Sequence, residues 1–111
     1  MSDPMRKLLD ELNELVMELL MESTNPRYTN EERERIHLHA KRVRNQLVRL
    51  RVMRFDQNTA GYNDAIESVK EVNKELQESI DRINNLVRFI GDLARLVAAL
   101  DRLIATAAAV L

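Results

Sequence analysis

Few side chains in this 111-residue sequence could carry chemistry: two histidines, a run of arginines and a scatter of carboxylate pairs. His37 and His39 stand two residues apart, so on a helix they point to different sides and cannot share one metal ion. His37 has Lys41 one turn ahead and Arg33 one turn behind, and both would repel a cation. His39 falls on the edge of an apolar stripe, where a half-buried, hydrogen-bonded histidine is the common outcome. The pairs Glu14/Glu18, Glu67/Glu71 and Glu71/Glu75 have the spacing of a solvated helix face. There is no cysteine, no glycine-rich phosphate loop and no nucleophile motif. These residues predict no catalytic centre, no metal and no cofactor.

The arginines are the stronger signal. From Arg35 to Arg54 there are seven bases and no acid, although the whole chain carries a net charge of −1. Charge is segregated: residues 1–22 carry −4, 23–56 carry +5, 57–81 carry −4 and 82–111 carry +2. One reading makes Arg42, Arg44, Arg49, Arg51 and Arg54 contacts to a nucleic acid or other polyanion, with guanidinium forks on phosphates. The other sets a basic helix between two acidic ones, its charges matched inside a bundle. The second is favoured, because a dedicated nucleic-acid module usually shows net positive charge and aromatic support, and only Phe55 adjoins this run.

Three helical segments must position these groups. Ser2-Asp3-Pro4 starts the first, with proline where its missing N–H costs nothing. Met5, Leu8, Leu12, Leu15 and Leu19 form one stripe, with Leu9, Val16 and Leu20 beside it, and Ser23-Thr24-Asn25-Pro26 should end it near Glu22. Thr29 with Glu32 fits a capping box, opening a second helix over about 31–55. Its core stripe is Ile36, Ala40, Val43, Leu47 and Leu50. A weaker apolar line, Leu38, Val48, Val52 and Phe55, lies toward the other side, as in helices that sit between partners. Gln57 to Gly61 is the second turn, with Thr59 as the expected N-cap of the third helix.

From Tyr62 to Leu111 apolar residues recur at alternating steps of four and three, through Ile66, Val69, Leu76, Ile80, Ile83, Val87, Ile90 and Val97, with Asn73 and Asp101 as the polar members. The pattern predicts one long helix over 60–109. Such a helix would span about 75 Å, more than a chain this short can enclose. Gly91-Asp92 is its one doubtful point. A reversal there would give a four-helix up-and-down monomer, but the rhythm passes through without losing phase, and continuity is preferred.

The expected fold is therefore all-α, a single helical domain over 1–111: two shorter helices packed on one long C-terminal helix, completed by a partner chain. The C-terminal half is apolar over more of its circumference. Leu86, Phe89, Ile90, Leu93, Leu96, Val97, Leu100, Leu103 and Ile104 are read as the interface of a homodimer. Arg95, Asp101 and Arg102 argue against a membrane span, and the N-terminus lacks a signal core, which suggests a cytoplasmic protein. The function expected is non-catalytic binding of another protein, as by a small inhibitor, an immunity or antitoxin-like protein, or an assembly accessory factor. Polyanion binding through residues 35–54 is the alternative, and a small helical enzyme the third.

Overall fold

The computed structural model describes residues 3–79 and 86–110 and contains four helices and two short strands. The helices are α1 (Asp3–Glu22), α2 (Asn30–Leu50), α3 (Ala60–Ser79) and α4 (Leu86–Ala105), with β1 (Met53–Phe55) and β2 (Ala107–Val110) following α2 and α4. The long helix expected over 60–109 is not formed. Its place is taken by α3 and α4, which lie side by side, so the chain changes direction between them. The four-helix alternative has the right number of helices but the wrong break. Gly91 lies inside α4 without a positive φ.

Each element ends for a local reason. The last carbonyls of α1 are taken by hydroxyls: Ser23 Oγ donates to the Leu20 carbonyl at 2.6 Å and Thr24 Oγ1 to the Met21 carbonyl at 2.8 Å. Tyr28 then folds back into the core. The capping box of α2 is present in both halves, Glu32 N–H to Thr29 Oγ1 at 3.1 Å and Thr29 N–H to Glu32 Oε1 at 2.8 Å. Thr59 Oγ1 accepts from the Tyr62 amide at 3.4 Å at the start of α3.

The second helix stops at Leu50 and not near Phe55, because Met53–Phe55 leaves it to pair antiparallel with β2. The register is Met53 with Val110, Arg54 with Ala109 and Phe55 with Ala107, with an irregularity between Arg54 and Phe55. The alanines of 107–109 have helical propensity, but pairing overrides it. This ribbon joins the chain just past the C-terminal ends of α2 and α4.

The order of neighbours around the bundle is α1, α2, α4, α3. One core runs through all four helices, from Leu8, Leu12, Leu15 and Leu19 of α1 and Ile36, Val43, Leu47 and Leu50 of α2 to Val69 and Leu76 of α3 and Leu93, Leu96, Leu100 and Leu103 of α4. Each leucine so buried contributes about 1.5–3 kcal/mol before conformational entropy is subtracted. The molecule measures 45 × 22 × 20 Å.

Candidate functional site

The residues expected to hold a second copy are placed in this chain's own core. Phe89, Leu93, Leu96, Leu100 and Leu103 are buried against the other helices, while Ile90, Val97 and Ile104 are half-buried. The Leu86 side chain lies outside the described residues. The geometric motive for a dimer through α4 disappears with the long helix, because α2 and α3 supply the cover a partner was needed for.

The histidines do not converge. His37 is exposed, and His39 is half-buried with Nδ1 2.9 Å from the Arg35 carbonyl. Glu34 and His37 stand at the Glu-x-x-His spacing of carboxylate metal bundles, but both are exposed beside Arg33 and Lys41. Among the described residues no three His, Asp or Glu side chains are grouped to hold a metal ion.

The basic run of α2 and β1 is more informative. Arg42, Arg44, Arg49, Arg51 and Arg54 are all exposed, and none makes an ion pair among the described residues. Arg35, at the start of the run, is matched by Glu31 at 3.0 Å on its own helix. The expected neutralisation by flanking acidic helices is therefore not seen. The neighbour order accounts for α3, whose acids lie across the bundle because α2 packs on α1 and α4. The acids Asp10, Glu11 and Glu14 of α1 are themselves exposed.

The outer face of α2 combines charge with apolar surface. At 100° per residue, Leu38, Lys41, Asn45 and Val48 form one outward stripe, prolonged by Val52 just past the helix end. Leu38 is 48 % exposed, Val48 57 % and Val52 48 %. Arg42 and Arg49 flank the stripe on one side, and Arg44 and Arg51 on the other. In heptad terms the seam positions are partly apolar and the flanking e and g positions are arginine. On α1 the outward stripe is Asp10, Glu14, Met17 and Met21, with Met21 73 % exposed.

Two buried amides complete the inventory. Gln46 of α2 donates through Nε2 to the Val97 carbonyl at 3.0 Å and to Asp101 Oδ1 at 2.7 Å, pinning α2 to α4. Gln46 passes unremarked in the sequence because it lies at the margin of an otherwise aliphatic stripe. Asp101, expected within the seam, is exposed. Asn73 is buried in α3, and its Oδ1 has no hydrogen-bond partner.

The chain matches no protein-family model, no curated protein and no solved structure.

Proposed function

We propose that this chain is a non-catalytic, cytoplasmic protein-binding bundle that docks an acidic amphipathic helix along the outer face of α2. The observation that carries the reading is the exposed stripe Leu38, Lys41, Asn45, Val48 and Val52, apolar at three positions, set between four arginines that make no ion pair among the described residues. Interfaces are enriched in arginine and depleted in lysine, and helix pairs choose partners through flanking charge. A second α2 cannot serve, because arginine would face arginine. In a homodimer the same rule would pair α2 with α1 of the other copy, where Asp10, Glu14, Met17 and Met21 supply acid and apolar surface. A small inhibitor, an antitoxin-like protein or an assembly factor would each act by binding another protein. No helix among the described residues is long and apolar enough to cross a membrane.

The same guanidinium groups also support a second reading, the polyanion contact of Arg42, Arg44, Arg49, Arg51 and Arg54. Val48→Ser separates the two, since it removes apolar contact and leaves every charge in place. Fluorescence anisotropy with a labelled helical peptide, leucine at its seam and glutamate at its flanks, should show binding that Val48→Ser weakens. Binding to a DNA duplex, falling steeply with salt and unchanged in Val48→Ser, would favour the polyanion reading. Failure of the peptide to bind would remove the first.

A further inference from the structure

We propose that the cavity between α1 and α3 binds a small amphiphilic anion, a carboxylate or phosphate carried on a short apolar chain. The cavity has a volume of about 790 Å³ and is lined by Lys7, Leu8 and Glu11 of α1 and by Lys70, Asn73, Lys74 and Gln77 of α3. That volume is within the range of small-molecule sites, about 300–1,000 Å³. It lies on the side of the bundle away from α2 and is independent of the docking reading.

The gap follows from the sequence. Along the seam of α3, Asn73 stands where its neighbours one turn away, Val69 and Leu76, are aliphatic. Opposite it, α1 presents Lys7 and Glu11 beside Leu8. Long charged side chains reach for water and do not interdigitate, so this is the loosest of the four neighbouring helix pairs.

The chemistry of the lining selects the ligand. It brings three ammonium groups and one carboxylate together. The Lys70 ammonium has Glu67 at 3.7 Å, whereas Lys7 and Lys74, one from each helix, make no ion pair among the described residues. An anion between them gains a cation from either side. Buried Leu8, with the methylene stems of the lysines, favours an apolar chain over a bare inorganic ion.

Asn73 adds a buried amide to this lining. It is only 4 % exposed, it lines the cavity, and its Oδ1 has no partner in the protein. A buried amide oxygen left unsatisfied is costly, and Gln46 Oε1 on the far side of the bundle is the other such atom among the described residues. Oδ1 is itself closed off from solvent, so the end of the amide that can meet a ligand is the nitrogen, which would donate to a ligand oxygen. A metal ion is disfavoured by the three ammonium groups. A nucleic acid is disfavoured by the exposed Asp10 and Glu14 nearby on α1.

The test is a nitrogen–proton correlation titration of the full chain with decanoate and with decyl phosphate, against decanol, inorganic phosphate and anionic phospholipid vesicles. The proposal expects saturable shifts from decanoate or decyl phosphate, centred on residues 7–11 and 70–77. It expects none from decanol or phosphate. Lys7→Gln with Lys74→Gln, both on the surface, should weaken binding at least about tenfold. Asn73→Leu loses no hydrogen bond and should raise Tm while abolishing the shifts; shifts retained by Asn73→Leu would overturn the role given to the amide. Shifts spread through the whole core, response to vesicles alone, or undiminished binding by the lysine double variant would each overturn the proposal.

Discussion

Arg95 Nη1 lies 3.0 Å from Glu75 Oε2 across the α3–α4 pair. Twenty residues along a continuous helix would separate them by about 30 Å. The contact is exposed on both sides and contributes little to stability, but it reports that the chain folds back on itself. The chain contains no cysteine, so Glu75→Cys with Arg95→Cys introduces the only thiols. A short homobifunctional thiol reagent should cross-link them within one chain at low protein concentration. A continuous helix would give no intramolecular product, which mass spectrometry under denaturing conditions reads directly.

Gly91 is exposed within α4, lacks a positive φ, and an added Cβ there would meet nothing within 4 Å. Gly91→Ala should stabilise by up to about 1 kcal/mol through helix propensity. Denaturant unfolding measures this. A loss of stability would mean that the residue is needed as a break.

Why the sequence suggests one long helix is visible in the burial pattern. In α3 the buried residues Tyr62, Ile66, Val69, Asn73 and Leu76 follow the expected seam. In α4 the buried stripe is Phe89, Leu93, Leu96, Leu100 and Leu103, each one residue before the seam positions Ile90, Ala94, Val97, Asp101 and Ile104. The phase slips by one residue between the helices. The slip is hidden because α4 is apolar on a face wide enough to satisfy either stripe. Helix α1, the capping box at Thr29 and the Thr59 cap were legible, since each rests on local chemistry. The ribbon joining Met53–Phe55 to Ala107–Val110 was not, because strand pairing between distant segments leaves no local trace. Of the candidate surface, the apolar line of Leu38, Val48 and Val52 and the arginine run were both readable. What the sequence concealed was that α3 lies across the bundle from α2, leaving those arginines unmatched.

Leu96 and Leu100 are fully buried where α4 meets the rest of the core. Leu96→Ala or Leu100→Ala should each cost about 2–5 kcal/mol. Leu96→Glu with Leu103→Glu should unfold the chain, where an interface between copies would yield a folded monomer. Circular dichroism with sedimentation separates the two outcomes.

Thr29 closes both halves of its capping box. Thr29→Ala should therefore destabilise by about 0.5–2 kcal/mol, and Thr29→Ser by much less. Equal losses from both would show that the threonine methyl, and not the hydroxyl, matters.

Selection of an acidic helix by charge and apolar surface together on the outer face of α2 is open to charge reversal with rescue. Anisotropy is measured for two labelled helical peptides with leucine seams, one flanked by glutamate and one by lysine, against the wild type and Arg44→Glu with Arg51→Glu. All four arginines of the two flanks are exposed, so the variant should keep its fold. The wild type should bind the glutamate peptide, and the double variant should lose at least about tenfold in affinity for it while gaining affinity for the lysine peptide. Binding of the glutamate peptide that is indifferent to the reversal, or no binding of either peptide, would contradict it.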